Sequence, residues 1–454
     1  MMVMETLFGQ LSLYLGLPMD KVRYGCLYFT SFPLALVLRI FLNYKYTSSV
    51  IRHLFCIMFG ILYCWLCFQW QVFYLLAFVS VGYILLLTVP SHRVHTFTLW
   101  YVLTGVSVGH VYRMLIDYGN YTLDFSVPLM LLVQRISYVA YAYHDGASNS
   151  KLSSDQERQK ISELPSLLEY FSYNFSFLTI LAGPTSTYKE YDDFITGRNM
   201  QISNKDKVKG DPSPLIPAGK KLAGALFCLS ILLLNEDKMD NARVLGPNLS
   251  FPRRFINVTM YCFVLRCQYY FSHLLVESIS NTGGLGFSGY SKDGVAKWDL
   301  VRCVDVLKFE FGKNIREQTL AWNIFTQTWL KRIVYERYQW NPVLLTCLVS
   351  AIWHGFYPGY YVSFIFVALV TETARKLRLL LWHRFQSPRV VKILYDIATI
   401  AITNFGKDLV ILTFWLLTLE NVVTLWSYYR YIPFIVVALI ALVLPSKKKQ
   451  SNKI

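Results

Sequence analysis

The residue with the strongest claim to chemistry is a histidine. His354 lies inside Val343–Val370, a run that contains no Asp, Glu, Lys or Arg. An ionisable side chain in so apolar a run is costly unless it faces protein or a water-filled cavity, which makes it a functional candidate by default. Desolvation favours the neutral imidazole, the form a general base requires. Gly355 lets another backbone or a substrate approach closely, and Pro358-Gly359 breaks the helix beside it. A hydrogen-bonded structural histidine would satisfy the same position. The second candidate is Asn323, 31 residues upstream and therefore on a different element. A side-chain amide can donate to a developing oxyanion or orient a histidine, although a lone asparagine in an amphipathic stretch is more often a cap or a surface amide.

The elements that must position these residues are apolar helices. Of 454 residues, 54% are hydrophobic and 16% charged, against about 45–50% and about 25% in average soluble chains. Charge is absent from Leu54–Pro90, Val94–Tyr112, Tyr170–Tyr188, Val343–Val370 and Leu409–Leu419. Roughly 20 apolar residues cross the hydrocarbon core as a helix, so Leu54–Pro90 supplies two crossings with a turn near Gln69–Gln71. Lipid offers the backbone no hydrogen-bond partner, and these runs do not alternate as barrel strands do. The expected fold class is therefore an all-α integral membrane protein of about ten or eleven helices. They are placed near 22–42, 52–69, 71–89, 95–116, 125–143, 167–184, 220–235, 255–277, 343–356, 359–382, 393–416 and 421–444, not all crossing fully. The whole chain, 1–454, reads as a single multi-pass domain. Within it, 343–382 carries the histidine as one broken or re-entrant element. His144–Pro165 and Asp192–Pro217 read as surface loops. Segment 281–340 mixes charge with Trp298, Trp322, Trp329 and Trp340, which predicts amphipathic or re-entrant helices carrying Asn323 at the interface.

Net charge is +16. The basic residues fall between apolar runs, at Lys205, Lys207, Lys209, Lys220 and Lys221, at Arg253 and Arg254, at Arg375, Lys376 and Arg378, and in a basic cytosolic tail at 445–454. That placement follows the positive-inside rule, and no separate basic domain exists to bind nucleic acid. Most of the nine cysteines lie in apolar runs, where they pack as small hydrophobes. Cys64 and Cys67 have redox spacing without a second pair, and His92 and His95 have no further ligands near them in sequence, so no metal is expected. Gly284–Gly289 fits a dinucleotide fingerprint literally but lacks the surrounding strand and helix. Four glycosylation sequons begin at Asn120, Asn174, Asn248 and Asn257. The intramembrane carboxylates Asp124, Glu277 and Asp396 serve either as partners of basic side chains or as chamber lining.

WNIFTQTWLKRIVYERY, around Asn323, followed by LVSAIWHGFYPGYY, around His354, resembles the signature of the membrane-bound O-acyltransferase family. The likeness is closest to its lysophospholipid acyltransferases of the one-and-two type. It extends to LDFSVPLMLLVQRISYVAYAYHDG, PSLLEYFSYNFSFLTILAGP and GGLGFSGYSKDGVAKWDL, and covers most of the chain from about Met19 to Leu444. The resemblance implies helices enclosing a central reaction chamber opened by a cytosolic tunnel. It implies His354 and Asn323 as the catalytic pair, and Trp298, Asp299, Trp322, Trp353 and Tyr357 as substrate-binding. It also implies acyl-CoA as co-substrate with no bound cofactor, a lysophospholipid acceptor (lyso-PE, lyso-PS or lyso-PC, with oleoyl-CoA as donor) and residence in the endoplasmic reticulum membrane. One departure is Gln318, where relatives carry an aromatic residue five positions before the asparagine. A peptide-hydroxyl acyltransferase of the ghrelin-acylating branch is the alternative. A transporter or inactive scaffold is disfavoured, because no inverted repeat is visible and both His354 and Asn323 are present.

Overall fold

A computed structural model describes residues 2–203, 211–235 and 238–444. Lys205, Lys207, Lys209 and the basic tail at 445–454 lie outside the described residues. Among the described residues helices dominate, and strand is confined to the short ribbon Gly289–Tyr290 paired antiparallel with Ala296–Lys297. Three stretches among them are long and apolar enough to cross a membrane: Ser49–Thr88, Leu215–Leu233 and Arg389–Trp415. Leu419–Tyr428 and Ile432–Val443 pass the same test together, bent by 84°. Other long helices, such as Met19–Ile40, Ser126–Gly146, Phe251–Gly283 and Pro358–Leu381, carry ionisable residues along their length. The charge-free runs Leu54–Pro90, Val94–Tyr112 and Val343–Val370 thus do become largely helix, as a multi-pass membrane protein requires.

The chain divides into two compact units. The first holds Met1–Ser230, Tyr269–Cys303 and Asn323–Gly355; the second holds Ile231–Gln268, Val304–Trp322 and Phe356–Ile454. In the first unit, Ser49–Phe68 and Val72–Thr88 are separated by a turn at Gln69–Gln71, where Gln69 takes φ +50°. This is the position expected from sequence.

One expectation fails here. The element placed at 167–184 is helical only over Leu167–Asn174. Arg135, fully buried on Ser126–Gly146, accounts for the stop. Its guanidinium donates to the carbonyls of Tyr173 (3.3 Å) and Asn174 (2.6 Å) and to Thr179 Oγ1 (2.6 Å). Carbonyls left without helical partners are thereby satisfied. The irregular chain after Asn174 lies against Gly60, where an added Cβ would fall 1.5 Å from the Phe175 carbonyl oxygen. Segment 281–340 forms the short helices Val306–Phe311, Ile315–Ala321 and Ile324–Leu330, the last continued by a π-helical turn at Lys331–Tyr335, and of the four tryptophans Trp329 alone sits inside one. Trp329 is completely buried, whereas Trp340 is exposed.

The three carboxylates of the sequence analysis each gain a cation. Asp124 faces Arg113 at 3.6 Å, Asp396 takes Lys313 at 2.7 Å, and Glu277 pairs with Lys221.

Candidate active site

Helix Pro342–His354 starts on Asn341, which caps it through Leu344 N–H, and Pro342 fills the first turn where no N–H is needed. It ends on His354 because Gly355 takes φ +118° and ψ −164°, a region closed to residues with a side chain. A helix end exposes its last carbonyls. One of these, Trp353 O, accepts a hydrogen bond of 2.9 Å from His110 Nε2–H on helix Ser91–Ile116. A Cβ built on Gly355 would stand 3.1 Å from His110 Cγ, so glycine is what allows that ring to lie flat against the turn. His354 itself is only partly covered, with its ring 4.6 Å from that of Trp353.

Trp353 anchors the base of the site. Its indole N–H donates to Met130 O at 2.8 Å, and its ring centroid lies 5.9 Å from Trp329. Trp329 N–H in turn donates to Ser137 Oγ at 2.8 Å. Fully buried Gln134 donates to Thr326 Oγ1 (2.9 Å) and accepts from Thr185 Oγ1 (2.6 Å). Helix Ser126–Gly146 therefore grips Ile324–Leu330 through two neutral hydrogen bonds and Pro342–His354 through one. The helices Ile324–Leu330 and Pro342–His354 also touch each other.

Asn323 is the residue that opens Ile324–Leu330. It adopts a left-handed backbone, φ +46° and ψ +53°, uncommon for a residue other than glycine and a form of local strain held by its surroundings. The surroundings are visible: Ile324 N–H donates to Cys303 O (2.8 Å), and Cys303 N–H donates to Glu277 Oε1 (2.7 Å), which Lys221 neutralises. The Asn323 side chain does not cap its own helix, and among the described residues its buried Oδ1 has no hydrogen-bond partner. An amide oxygen buried without a donor costs about 1–3 kcal/mol. Such a cost is understandable where a bound molecule supplies the missing group.

The remaining predicted residues distribute as follows. Trp298 and Asp299 follow the ribbon in the first unit. Trp298 packs its ring 5.5 Å from Phe287 beneath Arg39 (5.7 Å), and Asp299 accepts from Ser288 Oγ. They border an open recess of about 320 Å³ with Lys221, Lys297 and Arg302. Trp322 and Tyr357 belong to the second unit, where Trp322 packs on Phe309 (4.7 Å) and buried Tyr357 on Tyr360 (6.0 Å). Gln318 is fully buried there, donating to Asn404 Oδ1 (2.8 Å) and Gly312 O (3.1 Å). At this position the chain thus makes a polar tie.

Sequence reasoning missed His110, Gln134 and Ser137. His110 lies in the charge-free run Val94–Tyr112, so the criterion that selects His354 also selects it. Gln134 and Arg135 stand in the middle of a predicted apolar element and were visible as a polar pair without partners.

Comparison with known proteins identifies relatives of this chain. The sequence profile of the MBOAT, membrane-bound O-acyltransferase, family matches residues 112–405. Human membrane-bound glycerophospholipid O-acyltransferase 2 is 33% identical, over 99% of this chain and 89% of its own length. Lysophospholipid acyltransferase 6 of Drosophila melanogaster is 36% identical, over 87% of this chain and 57% of its own length. The lysophospholipid acyltransferase of Schizosaccharomyces pombe is 28% identical, over 76% of this chain and 71% of its own.

Proposed function

Because the chain belongs to the membrane-bound O-acyltransferase family, we propose that it transfers a fatty acyl chain from acyl-CoA to the free hydroxyl of a lysophospholipid, with His354 and Asn323 as catalytic residues. The observation that carries the reading is a partly open imidazole at the end of one helix and an unsatisfied buried amide at the start of the helix packed against it. A neutral His354 ring nitrogen takes the proton of the glycerol hydroxyl as the oxygen attacks the thioester carbonyl. The carbonyl π electrons move onto oxygen; Asn323 acts either through its side-chain N–H on that oxyanion or through its idle Oδ1, which accepts from the imidazole N–H and aligns the ring. Collapse of the tetrahedral centre breaks the C–S bond, and the imidazolium returns the proton to the departing thiolate. Products are a diacyl phospholipid and CoA, with His354 neutral again.

An acyl-CoA donor and an endoplasmic reticulum location belong to this reading. So does the preference for lyso-PE, lyso-PS or lyso-PC with a monounsaturated donor. The experiment is a microsomal assay with labelled oleoyl-CoA offered with lyso-PE, lyso-PS, lyso-PC, lyso-PI or a ghrelin-like peptide. Label should enter a lysophospholipid, and His354→Ala should abolish its transfer at equal expression. Transfer to the peptide alone, or undiminished lipid transfer by His354→Ala, would overturn the reading.

A further inference from the structure

Away from the candidate active site, three residues distant in sequence converge within the first unit. One ring nitrogen of His53, one carboxylate oxygen of Glu169 and one of Asp192 all lie within 4.8 Å of each other. His53 sits near the start of helix Ser49–Phe68, Glu169 in the first turn of Leu167–Asn174 and Asp192 in the middle of Tyr188–Thr196. His53 is 2% exposed, and among the described residues its Nδ1 has no hydrogen-bond partner. The imidazole thus keeps capacity unused while one of its nitrogens stands near two carboxylate oxygens, a set that a cation or a proton would complete.

The charges around the cluster do not supply that partner. Arg52, next in sequence, donates instead to the backbone carbonyls of Ile195 (2.8 Å), Leu38 (3.1 Å), Phe194 (3.4 Å) and Leu42. It thus anchors the C-terminal end of Tyr188–Thr196 rather than its acid. Arg198 divides itself between Asp192 Oδ2 and Asp193 Oδ1 (2.7 Å). Glu169 Oε2 accepts from Ser166 N–H (2.8 Å) as half of a capping box.

We propose that His53, Glu169 and Asp192 form a binding site for a divalent transition cation of the zinc class, which ties the short helices Leu167–Asn174 and Tyr188–Thr196 to the start of Ser49–Phe68. One imidazole and two carboxylates are a donor set that Zn²⁺ accepts, with a water in the fourth position. Ligand atoms bound at about 2.0–2.2 Å from one ion stand roughly 3–3.5 Å apart in a tetrahedron, so small side-chain rotations close the site from its present spacing. The alternative partner is a proton, which would make His53 a histidinium between two carboxylates and leave the protein without metal affinity.

The test uses full-length protein in detergent, stripped with EDTA, desalted and titrated with Zn²⁺ alone. Metal per chain is measured by mass spectrometry and thermal unfolding is followed with and without Zn²⁺. Wild type should hold one zinc per chain above background and unfold at a higher temperature when zinc is present, because a ligand of the native state stabilises it. His53→Ala and Asp192→Asn should each lose that zinc, with affinity at least about 10–100-fold lower, and lose the thermal shift. The nine free cysteines contribute the same background to all three proteins. If His53→Ala does not fold, Glu169→Gln decides in its place. No zinc on wild type, or equal zinc and equal thermal response in a folded variant, overturns the site. Acyl transfer is not read, so the outcome is separate from that of the proposed function.

Discussion

Each unit buries a polar cluster, and the two clusters are chemically opposite. In the second unit, Arg266, Lys407 and Asp408 are all under 5% exposed and meet Glu310 in a neutral quartet. Arg266 bonds Glu310 (2.7 Å) and Asp408 (2.5 Å), and Lys407 bonds Glu310 (3.2 Å) and the Phe309 carbonyl (3.0 Å). Two cations face two carboxylates, and the geometry is saturated. The His354 region of the first unit uses neutral donors and acceptors: His110 on Trp353 O, Trp353 on Met130 O, Trp329 on Ser137, Gln134 on Thr326. It leaves the Asn323 oxygen unsatisfied and the His354 ring partly uncovered. A saturated ionic cluster specifies structure. A neutral cluster with hydrogen-bonding capacity in reserve is where a substrate can complete the set.

Substitutions can break this contrast. The largest effect is expected for His354→Ala, a loss of about 10²–10⁴-fold in kcat with unfolding temperature unchanged, since the side chain supplies the base and little packing. Asn323→Ala should follow, costing about 10²–10³-fold in kcat with little change in lysolipid KM, the pattern of an interaction made in the transition state. Arg266→Met inverts the readout: it strands Asp408, leaving Glu310 to Lys407 alone, and should cost about 3–5 kcal/mol of stability, seen as poor yield and early unfolding, while folded molecules keep their turnover. The smallest effect belongs to His110→Phe, which removes the hydrogen bond to Trp353 O but fills the space. It should cost roughly 0.5–1.5 kcal/mol in kcat/KM, about twofold to thirteenfold. If Arg266→Met lowered kcat as deeply as Asn323→Ala, the division between structural and chemical clusters would fail.

Helix placement was readable because membrane helices announce themselves by the absence of charge. Pro342–His354 and Pro358–Leu381 lie within two residues of the boundaries drawn from sequence. The break after Asn174 was not readable, because Arg135 on another helix claims the carbonyls there. His354 stood out through its isolation, whereas Asn323 needed the family motif around it. Its left-handed backbone is held through Cys303 and Glu277, 20 and 46 residues earlier in the chain. The same distance effect hides His53 from Glu169, 116 residues away.

The most direct measurement is an experimental structure of the protein holding a lysophospholipid and a non-reactive thioether analogue of acyl-CoA. We expect a His354 ring nitrogen at about 2.6–3.2 Å from the glycerol hydroxyl, and the Asn323 amide against the carbonyl position of the analogue or against the imidazole. A hydroxyl held far from His354, with Asn323 still without a partner, would contradict the assignment.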